Sequence, residues 1–241
     1  TDYTYASVDL SDAYRAVNTP QPQRDDNPYA SHVEREFVFV RALETLVIMD
    51  RMESSADDVA KTFLVHFEQP PAIEGANTVV GVMGDQALRL TTLLPAAPSY
   101  RVVQEGSYSG SQHRLQVDTK GQLQSVFLHV LQAKDASGQD VSAQLAEDST
   151  TYTVTLQHPT AGTAVVVFNK GLTATGGRFG YLSSGRPTTL NPFIDRVQGI
   201  AVTDSGPVWE GGVAPPPVSD TTPPSVSLTA PTAGAVVSDT A

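Results

Sequence analysis

The amino-acid sequence predicts an all-β protein, a large antiparallel β-sandwich, and three observations carry that prediction. Alternation of apolar and polar residues with a period of two recurs along most of the chain, as expected of strands with one face toward a core. Sustained helical periodicity is absent before residue 150, where Ser11 to Val17 is the one short helix candidate. Turn-forming residues interrupt the alternation at short intervals, and many short strands with tight turns make a sandwich rather than a parallel sheet.

Element by element, Thr1-Asp2-Tyr3-Thr4-Tyr5 opens directly as a strand. Val33, Arg35, Phe37 and Phe39 then alternate with Glu34, Glu36, Val38 and Val40. The run Leu46 to Met49 is apolar without alternation, which predicts a strand covered on both faces. It ends at Asp50-Arg51, where a strand-end ion pair is expected. Lys61, Phe63, Val65 and Phe67 alternate with Thr62, Leu64, His66 and Glu68, until Pro70-Pro71 stops the ladder. Further strands are predicted at 78–82, 87–94, 100–105, 112–117, 124–132, 151–157, 163–169, 177–182 and 198–204. Gly84-Asp85, Pro95 and Pro98, Thr119-Lys120-Gly121, Ser137-Gly138 and Pro159 to Gly162 supply the turns between them.

The body is expected to span residues 1–212. Residues 213–224, with Pro215-Pro216-Pro217 and Pro223-Pro224, read as a semi-rigid Pro-rich linker. Residues 225–241 begin with the alternating Ser225-Val226-Ser227-Leu228-Thr229 and read as the start of a further, truncated domain. The chain is therefore expected to be a piece of a longer protein.

Composition excludes several classes. The 241 residues carry 26 acids and 15 Lys plus Arg, a net charge of −11, whereas phosphate recognition needs clustered Lys and Arg. No stretch approaches the roughly 18 apolar residues of a membrane helix. With no cysteine, disulfides, thiolate metal sites and cysteine nucleophiles are excluded. The charge is uneven. Residues 1–150 hold 21 acids and 11 bases, and residues 151–241 hold 5 and 4. From Ser149 through Ile194 there is no acid, while Lys170, Arg178 and Arg186 lie within. Arg178 and Arg186 are accordingly candidates to bind an anionic sugar chain, with solvated hairpin arginines as the structural alternative.

No Gly-x-Ser-x-Gly elbow, phosphate loop, dinucleotide fingerprint or His-Glu-x-x-His motif occurs. The five histidines, His32, His66, His113, His129 and His158, make no local metal spacing. His66 and His129 sit on predicted strands, where a hydrogen-bonded structural role is the default. Asp9, Asp12 and Asp50 are the acidic candidates, and Asp12 is placed to cap the short helix. Tyr3, Tyr5 and Tyr14 are phenols suited to proton transfer or, on strands, to cross-strand packing.

A resemblance adds to these readings. Tyr3-Thr4-Tyr5-Ala6-Ser7-Val8-Asp9-Leu10-Ser11-Asp12-Ala13-Tyr14, Arg35-Glu36-Phe37-Val38-Phe39-Val40 and Leu46-Val47-Ile48-Met49-Asp50-Arg51-Met52 come first in order. Lys61-Thr62-Phe63-Leu64-Val65-His66, Leu93-Leu94-Pro95 and Phe127-Leu128-His129-Val130-Leu131-Gln132 follow. This ordered set resembles the C-terminal β-sandwich portion of heparinase II/III-like polysaccharide lyases, across roughly residues 1–170. The resemblance implies a secreted bacterial enzyme that cleaves uronic-acid-containing glycans by β-elimination, with this sandwich bracing a helical toroid upstream in the same chain. Tyr and His exchange protons in such reactions near neutral pH. It implies an anionic polysaccharide partner and, in some members, a zinc ion held by His and Asp. His66 in its Leu-Val-His context is the ligand carried over, with Asp9 as its partner, while the family's Asn-preceded histidine is missing here. Separately, Thr222-Pro223-Pro224-Ser225-Val226-Ser227-Leu228-Thr229-Ala230-Pro231 is similar to the start of a bacterial immunoglobulin-like repeat. A non-catalytic glycan-binding or spacer module is the alternative function.

Overall fold

The structure, a computed structural model, describes residues 2–11, 14, 30–105, 112–183 and 189–193, and the backbone of 200–203 and 206–209. The linker 213–224, the segment 225–241, Asp12 and Arg186 lie outside the described residues, as does most of the Ser11 to Val17 helix candidate.

Strands dominate, as the alternation predicts. In chain order they are β1 (Tyr3–Asp9), β2 (Ala30–Val40), β3 (Thr45–Ser54), β4 (Lys61–Phe67), β5 (Ala72–Glu74), β6 (Thr78–Met83), β7 (Gln86–Leu94), β8 (Ser99–Gln104) and β9 (His113–Thr119). There follow β10 (Gln124–Asp135), β11 (Ser142–Glu147), β12 (Thr151–His158), β13 (Gly162–Asn169), β14 (Gly177–Leu182) and β15 (Asn191–Pro192). A hairpin of β16 (Ile200–Thr203) and β17 (Gly206–Trp209) belongs to a second compact unit, Gly199–Ala241, apart from the first, Thr1–Gln198. Every described pairing is antiparallel. The sequence pattern does not mark β5, whose three residues are all exposed, or β11, a marginal strand of mostly small and polar residues.

The first unit is a sandwich with an added layer. A seven-stranded sheet, β1-β2-β3-β10-β7-β6-β5, lies between a five-stranded sheet, β11-β12-β13-β14-β15, and a three-stranded sheet, β4-β9-β8. Side chains alternate faces along each strand, so the central sheet feeds two separate cores. Val38, Val47, Met49, Leu128 and Val130 pack with Val154, Leu156, Val166 and Phe168 of the five-stranded sheet. Ile48, Leu90 and Phe127 face the other way, against Phe63, Phe67, Leu115 and Val117 of the three-stranded sheet. The unbroken apolar run at Leu46 to Met49 has this origin, since β3 pairs with β2 on one side and β10 on the other and is covered above and below. Close packing extends to the backbone at Gly81, where a Cβ would stand 2.2 Å from the Phe67 ring.

The strand-end ion pair expected at Asp50-Arg51 does not form, because β3 continues to Ser54 and adjacent residues face opposite layers. Asp50 takes a bidentate bond from Arg35 at 2.6 and 2.7 Å on one face. Arg51, fully buried on the other face, pairs with the buried Glu36. It also donates to the carbonyls of Asn169 and Ala174, at 2.8 and 3.0 Å. Glu36 completes the network by accepting from the Tyr5 hydroxyl at 2.6 Å and from the Gly176 N–H at 2.7 Å. Gly176 has φ +88°, a conformation open to glycine, and this lets the β13–β14 loop aim its N–H at the carboxylate. Breaking a buried ion pair from one side strands the other charge in a low-dielectric interior. Arg51→Met should therefore lose about 3–5 kcal/mol of stability in urea titration. Glu36→Leu combined with Arg51→Met should lose much less than the two single changes together, because no lone charge remains.

Candidate functional site

The most chemically furnished strand end in the described structure is where β1 runs out beside β2. Asp9 closes β1 opposite Glu34, and its Oδ1 accepts the Ser11 N–H at 2.8 Å as the chain leaves the strand. Ser11 Oγ accepts the Val33 N–H at 3.0 Å and lies 3.5 Å from His32 Nδ1. The other ring nitrogen, His32 Nε2, is 3.4 Å from Glu34 Oε2, and Ser7 Oγ donates to Glu34 Oε1 at 3.1 Å. Burial pushes the Glu34 carboxyl above the usual carboxylate range, with Ser7 and Arg51 opposing it. Hydroxyl, imidazole and carboxylate thus follow one another in the order of a nucleophile, a base and an orienting acid. Both separations exceed the 2.6–3.2 Å of an engaged pair, and Ser11 is buried with its oxygen occupied by Val33. As it stands the cluster is a set of neighbouring polar groups at the rim of the sheet, with His32 Nε2 buried and not hydrogen-bonded. Ser11 and His32 were not singled out for this role from sequence, since only the fold brings them together.

The predicted metal ligands fall on different sheets. His66 is on β4 of the three-stranded sheet, its side chain 42% exposed, with Nε2 3.2 Å from Glu105 Oε2. Arg114 pairs with the other oxygen of the same carboxylate. Asp9 ends β1 of the central sheet. A zinc site needs three or four converging ligands, and among the described residues no group of three or more His, Asp or Glu could hold a metal. The described residues therefore do not fit the zinc site that the resemblance implies.

Of the predicted anion-binding residues, Arg178 is exposed on β14, opposite Val167 and Pro192, and Arg186 lies outside the described residues. Lys170 is engaged. It pairs with Glu147 at 2.8 Å, donates to the Asp148 carbonyl and lies 4.6 Å from the Tyr152 ring centre, and its bond to Glu147 raises its pKa. Lys170 of the acid-free stretch is thus answered by Glu147, just upstream of it.

Two sequence candidates prove to be core groups. Tyr5 is buried in the Glu36 network, and burial, then the bond to Glu36, pushes its phenol up, away from a catalytic range. His129 is fully buried on β10 and stacks on Phe63 at 3.9 Å. A register shift in the β7–β10 ladder sets Thr92 opposite His129, and its Oγ1 is 3.1 Å from His129 Nδ1. Tyr100 donates to the same hydroxyl at 2.8 Å. Burial, then the nearby Arg35 charge, depresses the His129 imidazole to about 3.

Fold and site define an all-β, three-layer sandwich whose titratable groups are mostly consumed in packing. No family model matches the chain, and no curated protein matches it. Among solved structures it is similar to heparan sulfate lyase HepC from Pedobacter heparinus, with 12% identity and a TM-score of 0.44 over 62% of this chain and 25% of that one. A mutant of that enzyme gives 13% identity and 0.44 over 59% and 24%. A heparinase III gene product gives 13% and 0.46 over 68% and 28%. The chain spans about a quarter of the length of these proteins.

The His129 shift has a signed consequence. A depressed pKa in the folded state means that the unfolded chain takes up the proton first, near pH 6.5, so folding loses stability as pH falls from there toward 3. The full effect is on the order of 5 kcal/mol. Chemical denaturation of wild type and His129→Phe at a series of pH values should show this loss in the wild type and remove it in the variant. Parallel curves would assign the acid sensitivity to other groups.

Proposed function

We propose that this chain is the β-sandwich part of a secreted bacterial polysaccharide lyase that cleaves uronic-acid-containing glycans by β-elimination. One observation carries the reading. Five of the six motif blocks that resemble heparinase II/III-like lyases fall on β1, β2, β3, β10 and the end of β7, which are consecutive neighbours in the central sheet. A resemblance scattered by chance along the sequence has no reason to trace one continuous surface. The sixth block, Lys61 to His66, is β4 of the three-stranded sheet.

In this reading the sandwich braces a helical toroid elsewhere in the same protein, and the toroid carries most of the cleft. The rim at Asp9, Ser11, His32 and Glu34 is the part of the sandwich best equipped to meet it, because a hydroxyl, an imidazole and a carboxyl raised by burial are gathered there at a strand end. Arg178 and Arg186 are assigned to the anionic chain. A zinc ligand role for His66 would require further ligands from outside the described residues, and no step here runs through a metal.

The test is eliminative cleavage by the complete gene product containing this chain, incubated with heparin, heparan sulfate, alginate, hyaluronan and ulvan. Elimination leaves a carbon–carbon double bond conjugated to the uronate carboxylate, so product is read directly by its ultraviolet absorbance. Activity on at least one substrate is expected, reduced about tenfold or more by His32→Ala, in line with the loss of a positioned proton-transfer group. Silence on all five would end the proposal.

A further inference from the structure

A polar cleft of about 540 Å³ opens where four chain connections of the first unit converge. They are the turn Arg41–Leu43 between β2 and β3, the start of β7 at Gln86, the β10–β11 loop, and the β12–β13 turn. From it we infer that the protein carries a binding site for a neutral, hydroxyl-rich glycan segment, framed by Arg41, Glu44, Gln86, Lys134, Gln139 and His158. The inference goes beyond the lyase reading and stands without it, because none of these residues belongs to the rim, the motif blocks or the basic hairpin.

The backbone gives the first reason. Glu44 has φ +47°, the one described non-glycine residue in the left-handed region. It closes the turn by donating its N–H to the Arg41 carbonyl at 3.2 Å, and its own carbonyl accepts the Ala133 N–H at 3.2 Å. Glycine would close the same turn without a steric penalty. A glutamate held in that conformation by bonds on both sides, lining a cleft, is strain at a place where a carboxylate has a use.

Preorganisation gives the second. The buried Gln132 donates to the Gln139 carbonyl at 3.0 Å and accepts the Val141 N–H at 2.8 Å, pinning the β10–β11 loop. Lys134 bonds the Gly138 carbonyl and Asp140, both at 2.7 Å. His158 Nδ1 accepts the N–H groups of Thr160 and Ala161, at 3.2 and 3.0 Å, which leaves Nε2–H as the ring's free-facing donor. The cleft walls are therefore set before any ligand arrives, which lowers the ordering cost of binding.

Chemistry selects the ligand. Two cations, Arg41 and Lys134, and two carboxylates, Glu44 and Asp135, leave the lining with no net formal charge, so it offers no trap for an anion. Several of these groups are already bonded within the wall, Arg41 to Thr4 Oγ1 at 2.7 Å and Gln86 Nε2 to Asp135 Oδ1 at 2.9 Å, which leaves the Glu44 carboxylate and the His158 Nε2–H to meet a group that both donates and accepts. Sugar hydroxyls do so, and the volume lies within the range of small-ligand sites.

The test titrates the intact chain by calorimetry with the neutral hexaoses of glucose, mannose, xylose and galactose, with a hexauronate and glycerol as opposing arms. At least one neutral hexaose is expected to bind, and Glu44→Gln should weaken it about tenfold or more, since a sugar hydroxyl loses a charged acceptor. Glu44→Gly should weaken binding as much while raising the melting temperature, which separates a lost contact from a damaged fold. Arg178→Ala should change nothing. The inference is overturned if no neutral hexaose binds at millimolar concentration, if only the hexauronate or glycerol binds, or if Glu44→Gly binds as wild type. None of these outcomes bears on eliminative cleavage, which is read by a different signal on different sugars.

Discussion

The seven-stranded sheet has almost no solvent face at its centre, and the rest of the structure follows from that constraint. A charge on such a sheet cannot be hydrated, so it must be neutralised within the protein. Arg51 and Glu36 are neutralised together, and the remaining donors and acceptors of the pair reach Tyr5 and the Asn169–Gly176 loop of the next layer. Apolar contacts alone tolerate sliding between layers, whereas a guanidinium holding two specified carbonyls does not. The network also fixes register within the sheet. Moving β3 by one residue would turn Arg51 toward Phe63 and Phe127 and Asp50 toward the carbonyls that Arg51 now satisfies. The pair adds specificity here more than net stability, since apolar residues of the same volume would fill the space at similar free energy.

On the opposite face the same constraint is met differently. Asp50, almost wholly buried, is held by the partly exposed Arg35, whose guanidinium lies 5.6 Å from the Phe63 ring centre. Burial raises the Asp50 carboxyl while Arg35 pulls it back. His129, next to the same ring, stays neutral because it is buried away from water and, secondarily, because Arg35 already places a positive charge nearby. One aromatic ring thus separates a charged pair from a histidine that cannot charge.

Strand positions were legible wherever both cores pull on a segment. Leu46 to Met49 announced its double burial through the absence of alternation, and Phe127 to Leu131 sits beside it in the sheet for the same reason. Strands held mainly by backbone pairing at a sheet edge left no such mark, as β5 and β11 show. Partner choice was hidden for a different reason. Asp50 and Arg51 are adjacent in sequence and looked like partners, but alternation sends them to opposite layers, and Arg51 finds carbonyls 118 and 123 residues away. The same holds for the rim, where Ser11 and His32 meet only because β1 and β2 pair across a 20-residue connection. For His66 the local context suggested a ligand, while the register gives it Arg114 as a cross-strand neighbour and Glu105 as a partner.

These placements decide where chemistry can reside. A catalytic group must change its protonation state or its bonds during a turnover, and Tyr5, Glu36, Asp50, Arg51 and His129 are each held in one state by packing that the fold needs. Asking any of them to react would set function against stability in the same atoms. Groups at the strand ends and in the connecting turns are under no such demand, since water or a ligand can take up their unsatisfied bonds. Glu44 shows the reverse trade, a backbone conformation that costs the fold something and leaves a carboxylate at an open cleft. The central sheet is accordingly a frame of residues committed to packing, and the groups whose bonds the fold does not already require are those at its strand ends and connecting turns.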